Sequence, residues 1–172
     1  MYQERIGRVL AAMEQMGLEQ MIVSDPDSIW YLTGYYVFPF ERLFALYLRR
    51  DGKHKLFLNK LFPVPEVPYE QVWFSDTDDY LAILAENVDG TKPMGIDKEW
   101  PARFLLPLMA HNPGSRCVLA SACVDDARAC KDETERELMR TASRINDTVM
   151  ERAAAFMREG MMEREVADFI IA

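Results

Sequence analysis

Apolar residues recur along this chain with two alternating periods, and each period predicts an element. Over residues 2–16 they mark one helical face at Ile6, Leu10 and Met13, and Gly17 supplies a stop. Residues 20–24 form a short apolar run of strand length. Asp25-Pro26 then opens a short helix, Asp25 as N-cap and Pro26 at the first helical position, that ends at Gly34. Residues 43–49 and 55–59 predict two strands joined by a two-residue hairpin turn at Asp51-Gly52. The prolines in 62–68 predict an extended connection. Residues 71–74 predict a strand, and 77–88 a helix with Tyr80, Leu81, Leu84 and Ala85 facing inward. Asp89-Gly90 turns the chain into a short strand over 93–96. Pro101 opens a helix toward Ala110 that Pro107 should kink or split. Residues 116–120 predict the last strand, and Ser121 caps a short turn or helix before Arg128.

The longest periodic stretch comes next. Leu138, Ala142, Ile145, Val149, Ala153 and Phe156 recur at steps of three and four, with charged residues between them. Asp132 and Glu135 have capping-box spacing at the start, and Gly160 is placed to close the helix in the left-handed conformation. A second helix over 163–172 carries Val166, Phe169, Ile170 and Ile171. Ending on so apolar a run is unusual for a free terminus, so the chain is expected to be a piece of a longer protein. Alternation of strands and helices with one internal hairpin predicts an α/β domain, a mixed sheet covered by helices on both faces. This first domain is expected to span 1–123, with a linker over 124–131 and the start of a second unit over 132–172.

Composition narrows the function. Of 172 residues, 49% are apolar, and 28 acidic against 20 basic side chains leave a net charge of −8. With no basic cluster, a nucleic-acid surface is not expected. No apolar run reaches the roughly 20 residues that span a bilayer, and the N-terminus lacks a signal-peptide core. A soluble, cytoplasmic protein is expected. Cys117, Cys123 and Cys130 are an odd number without zinc spacing and predict free thiols.

Few residues suggest chemistry on their own. Asp76, Asp78 and Asp79 fail the calcium-loop pattern, since Leu81 and Asn87 stand where Gly and Glu are needed. They read as acids at the positive end of a helix. His54 and His111 lack metal-ligand companions at helical spacing, and Ser24, Ser75 and Ser121 lack a nucleophile elbow. Arg128 and Lys131 read as solvated charges near a domain boundary. One stretch differs: Trp30, Tyr31, Tyr35, Tyr36, Phe38 and Phe40 crowd eleven residues around Gly34 and Pro39. Trp30 and Tyr31 fit an ordinary core. The loop 35–42 is too aromatic to be left in water, so it packs on its own domain or forms an interface.

Two motifs then combine. Ser24-Asp25-Pro26 precedes Tyr31-Leu32-Thr33-Gly34, and Arg128-x-x-Lys131-Asp132-Glu133-x-Glu135 precedes Met139-Arg140-x-Ala142 and Ile145-x-Asp147. Gly160 then leads into Glu163-x-Glu165-Val166-Ala167. This order resembles the creatinase/prolidase/Xaa-Pro aminopeptidase family of pita-bread metallopeptidases. The resemblance implies an N-terminal three-layer α/β/α domain of ribonuclease-H-like topology, followed by the first helices of a truncated catalytic domain. It implies a parent that hydrolyses Xaa-Pro peptide bonds with two divalent metal ions, manganese or cobalt, all of whose ligands lie beyond Ala172. This chain alone would then have no catalytic residue, no metal and no activity. Its expected roles are homodimer formation and control of active-site access, with Phe38 and Arg42 of loop 35–42 as the substrate-access residues. Phe38 would offer an apolar wall to a proline ring, and Arg42 a planar fork to a carboxylate or carbonyl. The resemblance also admits a metal-free pita-bread-like binding module or a creatinase-type amidinohydrolase. Met162 departs from the family's Thr or Ser and cannot supply a side-chain cap, a loss of about 1 kcal/mol.

Overall fold

The computed structural model describes residues 3–64 and 69–171, in two compact units over 1–129 and 130–172. In the first unit, the expected strands and helices assemble around β1 (Gln20–Val23), which is buried on both faces. To one side lie β2 (Ala45–Arg49), β3 (Lys55–Asn59) and β4 (Glu70–Phe74); to the other lie β5 (Met94–Ile96) and β6 (Cys117–Leu119). The order is β4-β3-β2-β1-β5-β6, with β2 antiparallel to both its neighbours and the other pairs parallel. This is the mixed sheet of a ribonuclease-H-like domain.

Strand alternation divides the core in two. Met21 and Val23 face α1 (Gln3–Gln15), α2 (Pro26–Thr33) and α5 (Ala122–Ala129), where Val9, Leu32 and Val124 are buried. Ile22, Tyr47 and Phe57 face α3 (Tyr80–Asn87) and α4 (Ala102–His111), where Leu84, Phe104 and Leu108 are buried. The three-layer α/β/α architecture expected from the sequence is therefore present. Gln20, at the start of β1, is 2% exposed but satisfied: its amide donates to the carbonyls of Asp89 and Lys92 and accepts from Tyr47 Oη and Asp89 N–H.

Several local expectations are corrected. Asp51-Gly52 is not a two-residue hairpin turn. The loop spans 50–54 because Arg50 N–H donates to the Glu19 carbonyl and leaves the β2–β3 ladder, while His54 Nδ1 accepts Arg49 N–H. Residues 124–131 are not simply a linker: α5 runs to Ala129, since Cys123, Val124 and Ala127 are buried among core side chains. Ser121 does not cap α5 with its side chain, because its Oγ accepts the Lys98 N–H instead. Helix α4 runs unbroken through Pro107. The predicted helix over 77–88 begins at Tyr80, because Asp79 caps it by accepting Ala82 N–H and Asp78 holds a turn from Ser75 N–H. The extended connection over 62–68 is described only to Val64; residues 65–68 lie outside the described residues.

In the second unit, α6 (Glu133–Phe156) starts with both hydrogen bonds of the capping box between Asp132 and Glu135. It stops before Gly160, which instead takes φ 86° in a turn closed by Met161 N–H to the Arg158 carbonyl. Helix α7 (Glu163–Ile171) starts without a side-chain acceptor at Met162, but Glu165 accepts the Met162 N–H at 2.8 Å, half of a capping box. Phe156 of α6 stacks on Phe169 of α7 at 4.2 Å.

Candidate functional site

The parallel strands β1 and β5 end side by side, and Asp97 ties together the turns that leave them. Its carboxylate is 7% exposed and accepts Ser24 N–H, Ser24 Oγ–H, Asp25 N–H and Glu99 N–H. One buried anion thus fixes the β1–α2 turn against the β5–α4 turn. Asp25 is fixed again, as its side chain caps α2 through Ser28 N–H and accepts Arg128 Nη1 at 3.1 Å. Arg128 is therefore an ion-paired residue of the first unit rather than a solvated boundary charge. These turns form the floor of a cleft of about 380 Å³.

The loop 35–42 forms a wall of that cleft. Gly34 closes α2 at φ 79°, with its N–H on the Trp30 carbonyl. Pro39 to Arg42 then make a turn closed by Arg42 N–H on the Pro39 carbonyl at 2.9 Å. Within it Phe40 sits at φ 52°, a conformation costly to a bulky side chain by about 1–2 kcal/mol. Phe38 and Phe40 are 60% and 73% exposed and meet edge to face at 4.8 Å. Both line the cleft, opposite Trp100 and Phe104 from the β5–α4 side.

The structure brings the two expected site residues, Phe38 and Arg42, to one cleft, but leaves them differently available. Arg42 Nε and Nη2 hold Asp76 at 3.0 and 2.8 Å, and Nη1 lies 3.4 Å from Glu41. The Asp76 hydrogen bond raises the Arg42 pKa, and the same bond holds Asp76 below the usual carboxylate range. Asp76 also accepts Asn59 Nδ2–H. The aromatic cluster is otherwise rearranged. Tyr31 is the buried member, donating its hydroxyl to the Ala127 carbonyl, whereas Trp30 is 54% exposed and pairs edge to face with Tyr36. Ile29 and Leu32 turn that face of α2 to the core, which rotates Trp30 outward. Asp97, Trp100 and Arg103 belong to no sequence motif. Only their position after a parallel strand could have flagged them.

Among the described residues no group of three or more His, Cys, Asp or Glu could hold a metal ion. The donor set here does not fit a divalent centre. Cys117 and Cys123 are free thiols, and burial raises the pKa of both. No helix among the described residues is long and apolar enough to cross a membrane.

Residues 5–130 match the family model of the Creatinase/Prolidase N-terminal domain. An uncharacterised peptidase of Staphylococcus aureus strain MSSA476 is 28% identical over 173 residues, covering 96% of this chain and 48% of its own. A prolidase from Thermococcus sibiricus superposes with a TM-score of 0.87 at 26% identity, over 99% of this chain and 48% of that one. A dipeptidase from Mycobacterium ulcerans gives 0.82 at 26% identity, over 99% and 49%. The chain thus spans about half the length of the curated relatives it matches.

Proposed function

The chain belongs to the creatinase/prolidase N-terminal domain family, and from that premise we propose that it is the N-terminal region of a cytoplasmic Xaa-Pro dipeptidase or aminopeptidase. The peptidase, prolidase and dipeptidase names of the similar proteins support this reading. In it, this chain serves homodimer formation and active-site access. The two divalent ions, manganese or cobalt, belong to the remaining half of the parent. The observation that carries the access role is the cleft wall: two exposed phenylalanines held out by a turn with Phe40 at positive φ. An exposed, conformationally costly aromatic turn is poor design for a domain that meets only water. Phe38 supplies the apolar surface for a proline ring. Arg42, locked on Asp76 and Glu41, sets the position of the wall.

The test is hydrolysis of an Xaa-Pro dipeptide by the full-length parent and by the 172-residue chain, each with manganese or cobalt. Metal-dependent turnover by the parent alone is expected. Turnover by the 172-residue chain would refute the division of labour. A parent that binds no metal and cleaves nothing would favour the metal-free binding module.

A further inference from the structure

Four cations line the cleft, and they are not equivalent. Arg42 is paired with Asp76 at 2.8 Å, Lys98 with Asp125 at 2.6 Å, and Arg128 with Asp25 at 3.1 Å. Arg103 has no carboxylate partner among the described residues. Its Nη2 donates to the neutral carbonyl of Glu41 at 2.6 Å, and its guanidinium carbon lies 4.9 Å from the Phe104 ring centroid. These two contacts hold the group against the loop wall and leave its other N–H donors unused. A guanidinium so placed has lost part of its rotamer freedom before any ligand arrives, and its fork matches a carboxylate. Next to it, Trp100 is 7% exposed, and its indole Nε1–H has no acceptor among the described residues. Trp100 lines the same cleft, so its indole resonance can report a ligand bound there.

We propose that Arg103, rather than Arg42, is the carboxylate-binding residue of this cleft, and that its ligand is the C-terminal carboxylate of a short peptide whose apolar end packs on Phe38 and Phe40. The choice of a proline ring for that end rests on the peptidase reading above; the carboxylate rests on the cleft alone. Arg42 would have to abandon a bidentate partner to bind a second carboxylate, whereas Arg103 exchanges nothing. Glu99 also lines the cleft, with no cation on its side chain among the described residues. A free amine on the ligand would be drawn to it, so the test uses an acetylated one.

The experiment is a titration of the 172-residue chain with N-acetylproline, monitored by the Trp100 indole N–H resonance, assigned with Trp100→Phe. N-acetylprolinamide, which keeps the ring and lacks the charge, is the control. A saturable shift with N-acetylproline is expected, with binding at least about tenfold weaker for the amide and for Arg103→Gln, and partly restored in Arg103→Lys. Arg103 is exposed, so these variants should keep the wild-type circular dichroism and melting temperature. Equal binding of the acid and the amide, no saturable shift, or unchanged binding in a folded Arg103→Gln would each overturn the assignment. Equal binding of N-acetylleucine would uphold Arg103 and count against the proline reading alone.

Discussion

Asp97→Asn tests whether one buried carboxylate holds the cleft floor together. The wild-type side chain accepts from three backbone N–H groups and one hydroxyl, at 7% exposure. Asparagine fits the same space but keeps a single acceptor oxygen. In the better of its two orientations that oxygen faces Ser24 N–H and Asp25 N–H. The amide nitrogen then faces Ser24 Oγ, which can turn to accept, and Glu99 N–H, which cannot. One backbone donor is orphaned, and the remaining bonds lose their charge assistance. Hydrogen bonds to charged groups contribute about 1.5–3 kcal/mol each and an orphaned donor costs about 1–3 kcal/mol, so the variant should lose about 2–4 kcal/mol. Trp30, Trp73 and Trp100 all lie in the first unit, so tryptophan fluorescence reports its unfolding in urea. With a slope of about 2 kcal/mol per molar urea, the midpoint should fall by about 1–2 M. Ser24→Ala, which removes one hydroxyl and orphans no backbone donor, should cost only about 1 kcal/mol. A loss below about 0.5 kcal/mol in Asp97→Asn, within the range of ordinary surface substitutions, would show that the four bonds do not join the turns.

Two other perturbations probe the fold. Gly95→Ala in β5 would put a Cβ 3.0 Å from Ala120 Cβ, 3.1 Å from Leu18 Cδ1 and 3.2 Å from Met21 Cβ, and such overpacking should cost about 1–3 kcal/mol in the same urea assay. His54 is half-buried, and desolvation lowers its pKa from 6.5. Its neutral Nδ1 accepts Arg49 N–H, so the folded state binds fewer protons than the unfolded one. That contribution is present above pH 6.5 and is lost as pH falls through the depressed folded value. His54→Gln should therefore flatten the fall in melting temperature on acidification from pH 7; an unchanged slope would show that His54 does not contribute to it.

What was legible in the sequence was mostly local. The Asp132–Glu135 capping box, the Asp25 N-cap with Pro26, and the glycine ends of α1 and α2 depend on neighbours within a few residues. The alternating periods were enough to place each strand and helix and the three-layer class. The errors arose where a distant partner decided the outcome. Glu19 takes the Arg50 N–H and lengthens the hairpin, Asp76 takes the Arg42 guanidinium from 34 positions away, and the core draws α5 into residues expected to be linker. Trp30 and Tyr31 were both expected in the core, but adjacent helical positions differ by about 100°, so only Tyr31 is buried and Trp30 faces outward. The cleft was half legible. Phe38 stood out in an aromatic-rich loop and Arg42 followed from the family resemblance, while Asp97 and Arg103 acquire their roles only when two strand ends meet.

The access role of the loop 35–42 stands or falls with kcat/KM of the full-length parent for an Xaa-Pro substrate in Phe38→Ala. Phe38 is 60% exposed, so its loss should leave the melting temperature unchanged. If the phenylalanine guides substrate, kcat/KM should decrease by about tenfold or more, about 1.4 kcal/mol in the barrier. An unchanged kcat/KM, or a decrease that merely tracks unfolding or dissociation to monomers, would contradict the access role.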